Sequence, residues 1–134
     1  MKKDIEVPLV DQIAFAVVHE ENEDAEMVWN TYLINLKKKE LEGVLVSSKG
    51  YGKLNGEDKK TSVLRHFLNE LPGERFIKVE RIIEEVFGLT NEYWVSFRQD
   101  KIMYDKKYVF VPESIKAENC IQVPLIGRPG VMIK

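Results

Sequence analysis

The stretch "NEYWVSFRQDKIMYDKKYVFVP", residues 91–112, decides the fold class of this chain. Tyr93, Val95 and Phe97 occupy alternate positions before a polar turn at residues 99–101. After the turn the alternation resumes at Ile102, Tyr104, Tyr108 and Phe110. Because successive side chains of a strand point to opposite faces, the pattern predicts two antiparallel strands that share an aromatic face.

The other apolar runs around this hairpin are also short. They are rich in β-branched and aromatic residues and are separated by polar or Gly/Pro-containing segments, which is typical of strands. Further strands are predicted at residues 12–20, 27–36, 41–48 and 74–83. The polar sequence "KKKE" joins the second and third of these runs and predicts a hairpin, whereas residues 84–91 form a connecting turn or a single helical turn.

The segment "TSVLRHFLNEL", residues 61–71, fits two interpretations. Helical spacing relates Leu64, Phe67, Leu68 and Leu71. Strand alternation relates Thr61, Val63 and Phe67. The fold prediction is therefore an all-β, immunoglobulin-like antiparallel sandwich of about seven strands. The alternative is an α+β fold with one helix at about 61–71 on an antiparallel sheet.

The glycine- and lysine-rich stretch "SSKGYGKLNGEDKKTS", residues 47–62, suggests either a phosphate-binding loop or the tip of a long hairpin. A phosphate-binding loop requires the pattern GxxxxGK[ST], so that backbone N–H groups converge at the start of a helix. Gly52-Lys53 is followed by Leu54, and Lys60-Thr61 is preceded by Lys59. Since the pattern fails at both places, the stretch predicts a hairpin tip.

Length and composition indicate one domain spanning residues 1–134, in which residues 113–134 form a C-terminal tail or an extra strand. The formal net charge of −2 creates no global field that attracts nucleic acid. Cys120 is the only cysteine, so an intramolecular disulfide is excluded. No apolar run approaches the roughly 20 residues that cross a bilayer, and we expect a cytoplasmic protein without membrane contact.

The titratable residues indicate no reaction centre. The acidic run at residues 20–26 offers oxygen ligands for Ca²⁺ but lacks glycine and the regular spacing of a calcium loop, which favours a solvated loop. His19 and His66 are far apart in sequence, and the serines lack a nucleophile elbow. We therefore assign no catalytic, cofactor-binding or metal-binding residue, expect no cofactor, and do not expect an enzyme.

Three stretches carry a family resemblance: "TYLINLKKKELEGVLV", "LNELPGERFIKVERI" and "YWVSFRQDKIMYDKKYVF". Their order resembles that of bacterial immunoglobulin-like or fibronectin-like domains, over roughly residues 28–111. The resemblance implies a sandwich in which an aromatic hairpin closes one sheet. The disulfide-centred antibody pattern is absent because the chain has one cysteine.

A second resemblance rests on "WNTYLIN", "SKGYG", "TSVLRH" and "MYDKKYVF". These four segments resemble the sequences of a family of short bacterial proteins of unknown role. Some members of that family bear the name phenylalanyl-tRNA synthetase alpha subunit. Such a subunit needs an Arg-containing ATP motif and a Gly-rich motif ending in Arg, and neither is present in this chain.

The function that the sequence favours is a noncatalytic protein-interaction module. A partner protein or a second copy would add a strand at an exposed edge, either at residues 41–48 or in the C-terminal tail. The candidate partner-binding residues are the apolar ones of the tail: Ile121, Val123, Leu125, Ile126, Val131 and Ile133.

The alternative is RNA or tRNA binding, which the net charge disfavours. Its candidate residues are basic: Lys37, Lys38, Lys39, Lys59, Lys60 and Arg65. Together with Trp29, Trp94 and Tyr104 they could form a stacking platform for single-stranded nucleic acid.

Overall fold

The computed structural model describes residues 9–134 and shows an all-β sandwich of two antiparallel sheets. Its strands are β1 (Ile13–Glu21), β2 (Met27–Asn35), β3 (Leu41–Leu54), β4 (Glu57–Lys60), β5 (Leu64–Leu71), β6 (Arg75–Ile82), β7 (Thr90–Gln99), β8 (Ile102–Phe110), β9 (Ile121–Gln122) and β10 (Pro129–Ile133). Two 3-10 turns lie at Glu84–Val86 and Ala117–Asn119. The predicted sandwich is confirmed.

The ten strands form two hydrogen-bonded sheets. One sheet, called the β1 sheet, has the order β6-β2-β1-β10-β9. The other, called the β3 sheet, has the order β4-β3-β7-β8, with β5 also paired to β3. The strand β3 therefore has partners on both sides, and the expectation of an exposed edge at residues 41–48 is wrong.

The alternative of a helix at residues 61–71 is wrong, because this segment forms β5. β5 pairs with β3, and from Arg65 to Asn69 its exposed side chains alternate with partly buried ones. Leu71 is buried and Leu68 packs against the core, whereas Leu64 and Phe67 are exposed. A helix would place these three leucines and the phenylalanine on one face. The structure separates them, because pairing with β3 overrides the helical spacing.

The predicted hairpin at residues 47–62 is confirmed, and its strands extend further into the glycine-rich stretch than expected. β3 continues to Leu54 and pairs with β4 as far as Lys60. Asn55 and Gly56, with φ of 54° and 80°, form the connecting turn. Two consecutive residues with positive φ match the twist of the flanking strands, which is why Asn-Gly is favoured there.

The core is aromatic and is built by the hairpin of β7 and β8. Tyr93, Phe97, Tyr108 and Phe110 are fully buried, as the alternation predicted. The ring of Phe15, from β1, stacks on Tyr93 with centroids 4.4 Å apart. These contacts join the β1 sheet to the β3 sheet.

The C-terminal tail is part of the sandwich. β10 pairs with β1, and the turn that precedes β10 lies over the outer face of the β1 sheet. There Val123 is fully buried in a second apolar cluster with Ala14, Ala16, Val18 and Ile34. A Cβ on Gly130 would lie 2.9 Å from Val123 Cγ2 and 2.8 Å from the Val17 oxygen, so this position accommodates only glycine without rearrangement.

A partly buried carboxylate joins the two sheets at the side where β5 crosses to β6. The Glu80 carboxylate accepts hydrogen bonds from Ser48 Oγ (3.0 Å) and Tyr93 OH (3.2 Å). His66 Nε2 lies 2.6 Å from Glu80 Oε1. On its own sheet, the Glu80 carbonyl accepts a hydrogen bond from the Thr31 hydroxyl at 2.9 Å. One β6 side chain therefore contacts β3, β5 and β7.

Replacing Glu80 with Ala is expected to lower the free energy of unfolding by about 2–4 kcal/mol, because it leaves three polar side chains without their shared acceptor. Urea unfolding measures the change. The matched control is Glu85→Ala, which removes an exposed carboxylate from the 3-10 turn that follows β6 and is expected to change stability by less than about 0.5 kcal/mol. Equal effects of the two substitutions would contradict the role of Glu80.

Replacing Val123 with Ala is expected to cost about 2 kcal/mol, from lost apolar burial and the cavity left over the β1 sheet. Leu125 lies in the same turn but is 48% exposed, and Leu125→Ala is expected to cost less than about 0.5 kcal/mol. Thermal melts of both variants test whether the tail is a structural cover. A tail that contributes nothing to folding would leave both melting temperatures unchanged.

Candidate functional site

The two outer faces of the sandwich differ. The turn before β10 covers part of the β1 sheet, whereas no residue in the described part of the chain, 9–134, packs over the β3 sheet as a second apolar cluster. On the β3 sheet, Phe67 and Trp94 expose 66% and 45% of their surface. We call this surface the Trp94 face. It comprises Leu45, Ser47, Val63, Arg65, Phe67 and Trp94.

Strand alternation positions these side chains. Tyr93 and Val95 of β7 point into the core, so Trp94 between them points outward. Trp94 lies opposite Ser47 on β3 and opposite Lys107 on β8. Its position in the middle of three paired strands gives the indole a rigid backbone support.

A depression of about 430 Å³ lies beside the indole. Trp94, Leu45 and Val63 give it apolar walls, and Arg65 and Ser47 add polar groups. Aromatic and arginine side chains at the centre of a concave surface are characteristic of residues that dominate protein–protein binding energy. The arrangement suits noncovalent recognition.

Glu92 is the acidic residue of this depression and is only 7% exposed. Its carboxylate accepts a hydrogen bond from Tyr51 OH at 3.1 Å. Two ammonium groups lie close to it, Lys49 Nζ at 3.7 Å and Lys107 Nζ at 3.8 Å. Lys107 Nζ also lies 5.2 Å from the centroid of the Trp94 ring. The two lysines are therefore held beside the indole by one partly desolvated carboxylate.

The hydrogen bond to Glu92 raises the pKa of the Tyr51 phenol, with smaller contributions from desolvation and from the negative charge. Both the bond and the charge favour the protonated phenol.

The predicted partner-binding residues of the tail occupy different environments. Val123 is buried, and Ile126 packs against the cluster that Val123 completes. Val131 and Ile133 are partly buried against the main core. Ile121 and Leu125 expose about half of their surface, at 49% and 48%. Most of the tail's apolar side chains therefore pack within the sandwich.

The predicted nucleic-acid-binding residues do not come together. Lys37, Lys38 and Lys39 lie in the turn before Leu41, while Lys59 and Lys60 lie opposite Gly52 and Tyr51. The ten residue-to-residue steps from Leu41 to Tyr51 span roughly 33 Å along β3. Of the six candidates, only Arg65 lies on the Trp94 face.

The three aromatic residues of the predicted stacking platform are also separated. Trp29 is buried and stacks on His19 with centroids 4.1 Å apart. Tyr104 stacks on Phe97 at 5.3 Å. Trp94 alone of the three exposes a large part of its ring.

The sequence did not identify Phe67 as a surface residue, because both helical spacing and strand alternation fit residues 61–71. The available signal was its strand partner: Phe67 lies opposite Leu45, which also faces outward. Trp94 could have been placed outward from the alternation of Tyr93, Val95 and Phe97.

The acidic run at residues 20–26 forms a tight turn between β1 and β2. Asn22 Oδ1 accepts hydrogen bonds from the backbone N–H groups of Asp24 (2.9 Å) and Glu26 (3.0 Å). Within residues 9–134, no group of three or more His, Cys, Asp or Glu side chains is arranged to hold a metal ion.

Comparison with protein-family models found no match, and a search of curated proteins also found none. Among residues 9–134 there is no helix of the length and apolarity needed to cross a membrane.

Replacing Glu92 with Gln is expected to lower the pKa of Tyr51, because it replaces the carboxylate that accepts the phenol's hydrogen bond with a weaker, neutral acceptor and removes the negative charge. Titration of the Tyr51 ring by NMR in the wild type and the variant measures the change. Glu57→Gln on the exposed strand β4 removes a carboxylate that makes no contact with Tyr51 and serves as the control. An unchanged Tyr51 titration in the Glu92 variant would contradict the proposed electrostatics of the site.

Proposed function

We propose that this protein is a noncatalytic interaction module whose Trp94 face binds another protein. The observation that carries the proposal is the contrast between the two outer faces. The chain's own tail packs on the β1 sheet, while an aromatic, concave surface on the β3 sheet is exposed. Exposed apolar patches on a small domain are characteristic of interaction sites.

The order of the strands supports an immunoglobulin-like or fibronectin-like relationship. In the immunoglobulin fold the first, second and fifth strands share one sheet, and the third, sixth and seventh share the other. When β5 is counted as the fourth strand, β1, β2 and β6 correspond to the first group and β3, β7 and β8 to the second. β5 pairs with β3 instead of joining the first group, which differs from a constant-type domain.

The charges on the Trp94 face favour a protein over a nucleic acid as the partner. Lys49 and Lys107 are both beside Glu92, and Arg98 is paired with Glu42 at 3.3 Å, whereas Arg65 forms no ion pair within the described residues 9–134. Polyanion binding depends on basic side chains that are free to neutralise phosphates. A surface on which three of the four basic side chains around an indole lie beside a carboxylate instead resembles the mixed polar and aromatic character of protein interfaces.

We place this interaction in the cytoplasm. The proposal is supported by the single thiol, Cys120, since a fold of this size with an aromatic core does not depend on a disulfide.

The experiment is affinity capture from the native cell lysate with the tagged wild-type chain, followed by titration of the purified partner. Trp94→Ala is expected to weaken binding by about thirtyfold or more, since a central aromatic anchor contributes at least about 2 kcal/mol. Ile121→Ala, which shortens a similarly exposed apolar residue of the tail, is the matched control and is expected to leave the affinity unchanged.

Capture is performed at low and high salt, with and without nuclease. A partner that survives both treatments and is lost with Trp94→Ala supports the proposal. Equal binding by the Trp94 and wild-type chains, or loss of binding in the Ile121 variant only, overturns the assignment of the face. Recovery of RNA that disappears at high salt would replace protein binding with the nucleic-acid alternative.

A further inference from the structure

The longest regular free edge of the sandwich is β8. Within residues 9–134, β8 pairs only with β7, through nine consecutive residue pairs without a register shift. The other edges are shorter or interrupted. β9 has two residues and β4 has four, while β5 and β6 pair with their neighbours through register shifts. A long edge without a bulge presents unpaired backbone groups to a further strand.

The sequence of β8 is complementary to itself in one antiparallel register. Directly opposite residues point to the same face, so two sandwiches that extend one continuous sheet with their cores on the same side must pair residues of equal parity. Pairing all nine residues, Ile102 to Phe110, places the two-fold axis at Lys106. In this register Asp105 lies opposite Lys107 of the second copy, and Lys107 lies opposite Asp105 of the second copy.

We propose that two copies of this chain associate through β8 in this register and form one continuous sheet. Two reciprocal pairs of opposite charge flank the axis on the outer face, and each cross-strand pair of this kind is favourable. On the same face Met103 lies opposite Val109 of the second copy, which adds an apolar pair at each end. Registers centred on Asp105 or Lys107 lose both of these opposite-charge pairs, place a like-charge pair on the axis at the outer face, and leave residues unpaired.

The inner face tolerates the one like-charge pair that this register creates. Lys106 lies opposite its own copy at the axis, and its ammonium lies 5.1 Å from the centroid of the Tyr108 ring. This contact keeps each Lys106 ammonium group beside a side chain of its own strand. The flexible lysine side chain also allows the two ammonium groups to separate. The remaining inner pairs are Ile102 with Phe110 and Tyr104 with Tyr108.

This assembly goes beyond the proposed function and does not depend on it. Because the two-fold axis is perpendicular to the continuous sheet, both Trp94 faces would lie on the same side. Two binding sites on one surface raise the apparent affinity for a partner that presents two epitopes.

The first test is a cross-link that depends on the register. In a Cys120→Ser background, Lys106→Cys places two thiols opposite each other at a Cα separation of about 4.5–5.5 Å, within the range that a disulfide spans. Mild oxidation is expected to give a covalent dimer. Met103→Cys is the control: its side chain is more exposed, yet the two copies of residue 103 would be roughly 20 Å apart.

The second test is sedimentation equilibrium of the full chain over a wide concentration range. Asp105→Lys turns both opposite-charge pairs into like-charge pairs, and the dimer dissociation constant is expected to rise at least about fivefold. The double variant Asp105→Lys, Lys107→Asp restores opposite charges and is expected to recover much of the affinity. Glu57→Lys makes the same charge change on the exposed strand β4 and is expected to have no effect.

Preferential cross-linking of Lys106→Cys together with the weakening caused by Asp105→Lys supports the proposal. A wild-type chain that stays monomeric at every concentration overturns it. A dimer that Asp105→Lys leaves unchanged, or equal cross-linking at residues 103 and 106, places the interface elsewhere and overturns the β8 register. Amide hydrogen exchange of β8 in the wild-type chain tests the same interface without a substitution. Slower exchange of the β8 amides at high than at low concentration supports the proposal, and equal exchange overturns it.

Discussion

The alternation of side chains along β7 links the core to the surface of this protein. Tyr93, Val95 and Phe97 point inward and build the aromatic contact between the sheets, so Glu92 and Trp94 must point outward. A shift of one residue in the pairing of β7 would expose the core aromatics and bury the charged side chains. The geometry of the Trp94 face is therefore fixed by the same constraint that fills the core.

A second constraint lies at the side of the sandwich where β5 and β6 pass from one sheet to the other. Between these edges Glu80 acts as a common acceptor for Ser48 and Tyr93, and lies beside His66. Removing a carboxylate from water is costly unless its oxygens are satisfied. The network satisfies these oxygens and contacts three strands of the β3 sheet. Its hydrogen bond to Tyr93, the residue before Trp94, links β7 to the β1 sheet.

The tail gives the two outer faces their different character. Val123 fills a cluster of small residues, Ala14 and Ala16 among them, that would otherwise be exposed on β1. The same segment supplies β10, which lies beside β1 and moves the edge of that sheet outward to β9. The β3 sheet receives no such cover from the described residues, and its free edge is β8. The proposed binding face and the proposed β8 contact both follow from this asymmetry.

The sequence by itself determined the class of the fold, because period-two alternation and turn residues are local properties. The β7–β8 hairpin and the Asn55-Gly56 turn are examples. Tertiary structure alone decided the fate of residues 64–71, whose helical spacing gave way to pairing with β3, and the burial of Val123 in a segment for which the sequence predicts either a tail or an extra strand. It also separated the lysine groups along β3 and brought Glu92 beside Lys49 and Lys107. These outcomes depend on contacts between residues distant in sequence, which no local pattern encodes.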